Sequence, residues 1–505
     1  MKSVVILYES KSEYAQEKVF GGKNAFEKTY EWAEKFCEGD IVKIGDCINV
    51  AVLLKKMAET ALEKKADYII FTYDDLPFIN TEITRQLVEH HLKYHAEYTF
   101  QDGYPSGFAP EIINSQACAI MAKLAESNLK EAGEKPLSRT CIYDFLKNDI
   151  NSFEVETIIA PKDWRLYRFA FNTGCKRDFL SCKGLQECAD LEKVDVNNAD
   201  SLAELAARSV KVLKTLPAFY SIEICEKVSS YAIYNPLSLK KSAQEIMSFD
   251  KFAKITDKIS DFSEDAVISL SVCGEPLLNP DCLKMAEYVL SKPELSLFLE
   301  TDGINITEDF CKKIKDCLSD APKSQKNPYP KLMIAVQLDA FTKEGYAKIR
   351  NNSSSEDFDA ALKSVSLISS ILPACVYPQF IRMNENEEEL ESFFRFWNEK
   401  TSPAAGNFII QKYDSMAALL PDRKPADLSP LERILCWHLR RDMTILANGD
   451  VTICRACMFE KSTGNVFSED LEAVWHKNDS LLRDYIENNL NERCGKCDEF
   501  YTFNF

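Results

Sequence analysis

The sequence predicts an α/β protein with several domains, and three observations lead to this fold class. Apolar runs of strand length recur along the chain, for example at residues 3–8, 67–73 and 266–273. Segments with apolar residues at helical spacing, such as residues 24–36, lie between them. Strands that alternate with helices predict layered α/β domains with largely parallel sheets. A chain of 505 residues, 46% of them hydrophobic, is long enough for more than one such core.

Charge and hydropathy exclude several classes of partner. The chain has 79 acidic and 61 basic side chains, a net charge of −18, so we expect no nucleic acid and no anionic membrane as a partner. No apolar run approaches the length of a membrane-spanning helix, and Glu9, Lys11 and Glu13 follow the first strand without a secretory pattern. We therefore expect a cytoplasmic protein. Its 18 cysteines are then free thiols or metal ligands rather than a disulfide framework.

The first third of the chain, residues 1–212, carries acidic residues where a strand ends. The predicted strand 67–73 runs directly into Asp74 and Asp75. Open α/β sheets bind ligands at the carboxyl ends of their strands, and carboxylates there suit a hard cation such as Mg²⁺. The sequence therefore predicts a ligand site at this strand end.

This region resembles the nucleotidyltransferases that activate sugars and isoprenoid precursors. The matching motifs are Phe20-Gly21-Gly22-Lys23, Asp75 in the place of the metal-binding acid, Gly103-Tyr104-Pro105-Ser106-Gly107 and Arg165-Leu166-Tyr167-Arg168-Phe169. The resemblance implies a Rossmann-like domain in which Asp75 lies beside a nucleotide.

The phosphate-binding loop departs from that family. Residues 8–14 contain no glycine for close backbone approach, and Glu9 and Glu13 would repel phosphate. Lys18 takes the place of the family's loop lysine. We expect a transferase fold without transferase chemistry, and a nucleotidyltransferase with a regulatory metal domain stays an alternative.

The middle of the chain, residues 213–400, repeats strand and helix and predicts a partial (β/α) barrel. Functional groups of such barrels lie at the carboxyl ends of strands. Polar motifs occur at three predicted strand ends: Cys273-Gly274-Glu275-Pro276, Thr301-Asp302-Gly303 and Gln337-Leu338-Asp339-Ala340.

The order of these motifs resembles a radical SAM domain, which generates a radical from S-adenosylmethionine. The resemblance implies that S-adenosylmethionine would contact Gly274, Glu275, Pro276, Thr301 and Gly303. Whether this chain still binds the cofactor is left open by the sequence.

The defining Cys-x3-Cys-x2-Cys motif of that family is missing. Its three cysteine positions fall on Val228, Ala232 and Asn235, and Cys225 lies outside the spacing. Because those thiolates hold the 4Fe-4S cluster that cleaves the cofactor, we expect an inactive barrel that acts as a binding or scaffold module. An active enzyme with other cluster ligands and an unrelated barrel with coincidental motifs stay open.

The C-terminal part, residues 401–505, carries a group of four cysteines. A predicted hairpin around Gly449 brings Cys436 and Cys454 to one side, and Cys494-Gly495-Lys496-Cys497 supplies two thiolates from one turn. Four soft ligands suit zinc or an iron–sulfur cluster, and composition does not choose between them.

These cysteines resemble the SPASM extension of radical SAM peptide-modifying enzymes. Cys436, twelve residues, Gly449, four residues and Cys454 match its pattern. The resemblance implies one auxiliary 4Fe-4S cluster at Cys436, Cys454, Cys494 and Cys497, with Cys457 as an extra thiol. Phe503 stands where a further cysteine of the full pattern would follow, so we expect the single-cluster twitch form. Zinc and an empty site remain alternatives.

The three regions in this order resemble the spirochaete spiro-SPASM proteins over the whole chain. That resemblance implies an architecture and no particular reaction. A peptide or protein is the expected partner, in line with the peptide-modifying relatives of the SPASM extension.

Overall fold

The structure is a computed structural model that describes residues 1–37, 41–132, 137–240, 244–321, 329–351, 353–427, 429–430 and 432–501. The chain forms two compact units, Met1–Thr215 and Leu216–Phe505. Phe503, at the position of a further cysteine, lies outside the described residues. Among the helices of the described segments, none has the length and apolar character needed to cross a membrane.

The first unit contains a mixed six-stranded sheet. Its strands are β1 (Ser3–Tyr8), β2 (Ile41–Ile44), β3 (Tyr68–Tyr73), β4 (Tyr98–Asp102), β5 (Glu111–Asn114) and β6 (Val155–Ile159). They are arranged in the order β2-β1-β3-β5-β4-β6. Only β5 pairs antiparallel to its neighbours, and the other pairs are parallel, so the predicted largely parallel sheet is observed.

Helices connect and cover these strands. They are α1 (Ala25–Ala33), α2 (Val50–Lys64), α3 (Thr81–Tyr94), α4 (Ser115–Ala132), α5 (Cys141–Leu146), α6 (Lys176–Glu192), α7 (Ala199–Arg208) and α8 (Val210–Leu213). Local sequence explains where several begin. The side chain of Asn24 accepts a hydrogen bond from Glu27 and forms a capping box at the start of α1. The side chain of Asn80 caps α3 by accepting hydrogen bonds from the backbone N–H groups of Glu82 and Ile83.

The second unit contains a nine-stranded sheet that spans the predicted middle and C-terminal regions. Its strands are β7 (Phe219–Ile222), β9 (Ala266–Ser269), β10 (Leu295–Thr301), β11 (Leu332–Gln337), β13 (Val376–Arg382), β14 (Ile409–Lys412), β15 (Asp442–Ile445), β16 (Asp450–Thr452) and β17 (Gly464–Asn465). A separate pair consists of β8 (Tyr231–Ala232) and β12 (Arg350–Asn351).

The sheet order is β14-β13-β11-β10-β9-β7-β15-β16-β17. The first six strands of this order are parallel and follow the chain in sequence, with helices between them. This is the partial (β/α) barrel that the sequence predicts. β15 pairs parallel to β7 and continues into the predicted hairpin with β16, whose turn contains Gly449 at a φ of +86°.

The helices of the second unit are α9 (Phe249–Ser263), α10 (Cys282–Ser291), α11 (Glu308–Asp320), α12 (Lys343–Ile349), α13 (Ser355–Ile371), α14 (Leu390–Asn398), α15 (Trp437–Arg441), α16 (Leu471–His476), α17 (Asp479–Ile486) and α18 (Glu492–Lys496). Side chains alternate between the two faces of each strand. One face is apolar and packs against the longer helices in a single core, with Ile268, Leu299, Val336 and Phe380 as examples. The other face lines a cavity.

Candidate metal centre

Five cysteines of the C-terminal region line one cavity of about 200 Å³ in the second unit. They are Cys436, Cys454, Cys457, Cys494 and Cys497. The four cysteines predicted as ligands are therefore brought together from positions up to sixty-one residues apart in the sequence, and the extra thiol joins them.

Three local structures place these thiols. Cys436 immediately precedes α15, whose chain continues into β15, and Cys454 follows β16 on the other side of the hairpin. Cys494 lies on the short helix α18, and Cys497 ends it. The side chain of Asn491 caps this helix by accepting a hydrogen bond from the backbone N–H of Cys494 at 2.7 Å.

An arginine that the sequence analysis missed holds the Cys-x2-Cys turn. The guanidinium of Arg433 donates hydrogen bonds to the backbone carbonyl oxygens of Cys494 and Cys497, at 2.9 and 2.8 Å. It also donates to the hydroxyl of Tyr485 at 3.1 Å. The position of the turn thus depends on a residue that lies three positions before the cavity's first cysteine, and no motif in the sequence marks it.

Burial dominates the protonation of most of these thiols. It raises the pKa of Cys436 to about 12, and it also raises the pKa of Cys494 and of Cys497. Metal binding requires thiolates, so a bound cation would have to displace these protons. Cys454 and Cys457 interact directly, with their Sγ atoms 3.9 Å apart, and this contact raises the pKa of Cys454 and lowers that of Cys457.

The spacing of the sulfur atoms favours a polynuclear cluster over one zinc ion. Four thiolates around a tetrahedral zinc lie about 3.8 Å from one another, given a Zn–S distance of about 2.3 Å. Within the described segments, the sole group of three or more His, Cys, Asp or Glu ligand atoms all within 4.8 Å of one another is Asp414, Asp498 and Glu499. No three cysteine sulfurs there are so close. In a 4Fe-4S cluster each thiolate binds a different iron, so the four sulfur atoms lie farther apart than they do around one zinc ion.

The carboxylates beside the cysteines have partners of their own. Lys412 lies 3.0 Å from Glu499, and Lys424 lies 2.5 Å from Asp498. His438 places its Nδ1 against the carboxylate of Asp442. These pairs neutralise the carboxylates around the cavity, and none of them involves a cysteine.

The three positions of the missing cysteine motif have structural roles. The side-chain amide of Asn235 donates to the backbone carbonyl of Cys273 at 2.8 Å, and its Oδ1 accepts from the N–H of Leu237. Val228 packs against an apolar cluster that contains Cys273, whereas Ala232 belongs to a different cluster. Val228 and Ala232 thus pack into two separate apolar clusters rather than one shared cavity.

The residues predicted to contact S-adenosylmethionine also converge. The Thr301 hydroxyl donates to Oε1 of Glu275 at 2.8 Å, and the backbone N–H of Asp302 donates to Oε2 at 2.7 Å. Pro276 follows as the first residue of a short 3₁₀ helix, whose Leu277 N–H also donates to Glu275. The carboxylate of Glu275, only 4% exposed as a residue, is thereby satisfied by its own chain.

The two glycines of that set are closely packed. An ideal Cβ placed on Gly274 would lie 1.9 Å from the carbonyl oxygen of Cys225. One on Gly303, where φ is +77°, would lie 2.6 Å from the Oγ of Ser364. In this structure, neighbouring protein atoms leave no room for a side chain at either glycine.

A buried acid that the sequence analysis did not single out shapes the same strand end. The carboxylate of Glu223 accepts hydrogen bonds from the backbone N–H groups of Val272, Cys273 and Gly274, at 3.2, 2.7 and 3.0 Å. Burial raises the pKa of Glu223 to about 7, against the opposing effect of these donors. These hydrogen bonds hold residues 272–274 away from strand pairing. They explain why β9 ends at Ser269, whereas the sequence predicts a strand that extends to residue 273. The sequence signal for this role is an acidic residue within an otherwise apolar predicted strand, Ile222-Glu223-Ile224.

In the first unit, the predicted metal acid is already paired. Asp75 is fully buried, and both its carboxylate oxygens accept hydrogen bonds from the guanidinium of Arg139. Lys18, the proposed substitute for a phosphate-binding lysine, lies 3.7 Å from Glu27. The side chain of Glu9 packs against Gly45. An ideal Cβ placed on Gly45 would lie 2.6 Å from the Oε2 of Glu9.

Comparison with known proteins supports the C-terminal assignment. The SPASM family model, an iron–sulfur cluster-binding domain, matches residues 436–498. Among solved structures, SuiB of Streptococcus suis bound to precursor peptide SuiA is 13% identical, with 75% of this chain and 84% of that chain covered and a TM-score of 0.43. A cytidylyltransferase from Leptospira borgpetersenii is 16% identical, with 41% of this chain and 92% of that chain covered and a TM-score of 0.30.

A full-length relative establishes the family. An uncharacterized protein of Treponema pallidum (strain Nichols) is 36% identical over 370 residues, which cover 72% of this chain and 98% of that protein. The chain therefore belongs to the same family as this Treponema pallidum protein, and its C-terminal region is a SPASM iron–sulfur cluster-binding domain.

Proposed function

We propose that this protein carries one auxiliary 4Fe-4S cluster, held by Cys436, Cys454, Cys494 and Cys497, and that its barrel binds a partner rather than generating radicals. The observation that supports this most directly is the convergence of these four cysteines, from three separate local structures, on one cavity. Among the described residues, no three of their sulfur atoms all lie within 4.8 Å of one another, whereas thiolates around one zinc ion lie about 3.8 Å apart.

The choice of four ligands among five thiols follows from their positions. Cys454 and Cys457 are close neighbours, with sulfurs 3.9 Å apart, so one corner of a cluster has two adjacent candidates. Cys454 follows a strand whose hairpin fixes it, and it carries the spacing from Gly449 that the SPASM pattern requires. We therefore assign Cys454 as the ligand and Cys457 as a neighbouring thiol.

The bound cluster would supply one-electron transfer, and four thiolates would leave none of its irons open to a substrate. The chain's own groups would set its surroundings. Arg433 would hold the Cys494–Cys497 turn through the two carbonyl oxygens, and Leu439, Ile453 and Ala456 line the cavity with apolar surface that limits water.

The barrel carries no cysteine at the three motif positions that would hold the cluster for reductive cleavage of S-adenosylmethionine. Val228, Ala232 and Asn235 are not iron ligands, and Asn235 is committed to hydrogen bonds that stabilise its own loop. The carboxylate of Glu275 already accepts from Thr301 and from the backbone N–H groups of Leu277 and Asp302, which reduces its capacity to accept from the cofactor's amino group. These contacts favour a binding or scaffold role, with a peptide or protein as the expected partner.

The experiment is anaerobic reconstitution with iron and sulfide, followed by metal analysis and EPR of the reduced protein. We expect about four irons per chain, as for one 4Fe-4S cluster. Cys494→Ser should lose most of this iron. Cys457→Ser should retain it, as should the matched control Cys188→Ser, which changes a thiol of the first unit.

Two results would contradict the proposal. About eight irons per chain would indicate a second cluster. Stoichiometric zinc without iron, after purification without chelators, would assign the cysteines to a zinc site instead.

A further inference from the structure

The inner face of the barrel sheet carries several polar side chains beside the apolar Phe219, Phe298 and Ile409, and it lines a cavity. Thr444, Ser221 and Ser269 lie side by side on β15, β7 and β9, and the strands beyond add Glu300, Gln379 and Gln411. All six residues line the same cavity as the cysteines. Polar groups that face a buried cavity are costly unless they have hydrogen-bond partners, so their accumulation on one face requires an explanation.

One acceptor on this face has no partner. Gln379 is 2% exposed, and its side-chain nitrogen donates to Oε1 of Glu300 at 3.1 Å and to Oε1 of Gln411 at 2.6 Å. Because a carboxylate can only accept, the nitrogen of Gln379 has to face Glu300, and its oxygen cannot exchange places with it. That oxygen is buried and has no hydrogen-bond partner among the described residues.

The charges around this acceptor leave an excess of negative charge. Most charged groups that line the cavity pair with one another or with a neighbour: Arg441 with Asp442, Arg493 with Glu460, and Glu499 with Lys412. The remaining charged groups that line the cavity include the carboxylates of Glu300 and Asp414 and the guanidinium of Arg455. Two carboxylates therefore face one cation.

We propose that this face binds the primary ammonium group of a ligand, with Gln379 and Glu300 as its acceptors. The side-chain oxygen of Gln379 needs a donor, because it is an acceptor without a partner among the described residues, and the adjacent carboxylate of Glu300 favours a cationic donor. An ammonium group suits it better than a guanidinium. A guanidinium prefers both oxygens of one carboxylate, and Oε1 of Glu300 is already engaged by Gln379.

This site goes beyond the cluster function proposed above and does not require it. The strand residues Glu300, Gln379 and Gln411 hold no part of the cluster. A primary ammonium group reaches a protein either as a free amine or as the side chain of a lysine in a peptide, and the two sources share the same chemistry at Gln379.

The test measures binding to the full-length, reconstituted protein by anaerobic calorimetry. The free-amine probe is n-pentylamine, with 1-pentanol as its neutral counterpart. The peptide probe is Nα-acetyl-lysine methylamide, with Nα-acetyl-norleucine methylamide as its counterpart. We expect at least one amine to bind about tenfold or more tightly than its neutral counterpart. The probe that does so identifies whether the ligand is a free amine or a lysine side chain of a peptide.

Two variants locate the binding. Glu300→Gln removes the carboxylate and Gln379→Met removes the acceptor at similar volume, and each should weaken the amine about tenfold or more. Glu388→Gln, an equivalent change on an exposed carboxylate, should leave the affinity unchanged. Iron content is measured on every sample, so a failure of the cluster proposal is recognised separately.

The proposal is overturned if neither amine binds more tightly than its neutral counterpart to protein with its full iron content. It is also overturned if an amine binds and both Glu300→Gln and Gln379→Met retain the wild-type affinity. Near-ultraviolet circular dichroism of each variant establishes that it is folded before its affinity is compared.

Discussion

Asp75 and Arg139 form a two-pronged ion pair in the first unit, with Nη1 2.8 Å from Oδ1 and Nη2 2.6 Å from Oδ2. The aromatic ring of Tyr73 packs against the same guanidinium, 4.6 Å from its carbon. The carboxylate that resemblance to nucleotidyltransferases marks as a metal ligand is therefore already neutralised by the protein. A cation would have to displace Arg139 from a fully buried partner.

We expect Arg139→Ala to destabilise the first unit by about 3–5 kcal/mol, because it leaves the buried carboxylate of Asp75 without a partner. Urea titration followed by hydrogen exchange of the Tyr68–Tyr73 strand measures this loss in the intact chain. Arg165→Ala is the matched control. It removes an exposed guanidinium that pairs with Asp102, so its cost should be much smaller. Equal losses for the two variants would contradict the assigned role of Arg139.

We expect no binding of CTP in the presence of Mg²⁺. The proposed metal acid is paired with Arg139, and Glu9 and Glu13 replace a phosphate-binding loop. Calorimetry of the full chain tests this directly. Micromolar affinity for CTP, or release of pyrophosphate with a sugar acceptor, would restore the nucleotidyltransferase interpretation.

The wild-type protein should yield no 5′-deoxyadenosine when it is incubated with dithionite and S-adenosylmethionine. The triple change Val228→Cys, Ala232→Cys and Asn235→Cys should raise the iron content by about four per chain if the loop can rearrange around a second cluster. Product analysis by chromatography and iron analysis provide the two readouts. 5′-Deoxyadenosine from the wild-type protein above background would show that other ligands support an active cluster.

Gly274→Ala should strongly destabilise the second unit. Its Cβ would meet the carbonyl oxygen of Cys225 at 1.9 Å, so the loop held by Glu223 would have to move. Gly495→Ala is the control, since an ideal Cβ there has no atom within 4 Å. Hydrogen exchange of β9 and β10 in urea compares the two. A small loss for Gly274→Ala would mean that this packing is not required.

Acid should weaken α3 through His91. Burial lowers the pKa of this imidazole to about 4, from an ordinary value of 6.5, and its Nδ1 lies 2.9 Å from the Thr99 hydroxyl. The unfolded state therefore binds the proton first, and the stability that His91 contributes at neutral pH is lost as the pH falls from about 6.5 toward 4. Between pH 7 and 5, the urea midpoint for exchange of α3 should fall more in wild type than in His91→Gln. Parallel falls would contradict this role.

Periodicity predicted much of the architecture, because it reports directly which side chains a strand or helix buries. β1, β3, β10 and β11 lie where apolar runs indicate them. β9 is shorter than its apolar run because Glu223 binds the backbone beyond Ser269. β2 and β6 were not predicted, since they are short and only partly buried.

The sequence by itself determined the identity and spacing of the four cysteines, and hence the kind of metal group they suit, because thiolate chemistry depends on residue type. It also determined that Val228, Ala232 and Asn235 cannot hold iron. Only the tertiary structure decided that Asp75 pairs with Arg139, that His91 is buried, and that the side-chain oxygen of Gln379 has no hydrogen-bond partner among the described residues. These properties depend on contacts between residues far apart in the chain, and local pattern carries no information about which distant side chain will satisfy a buried charge or acceptor.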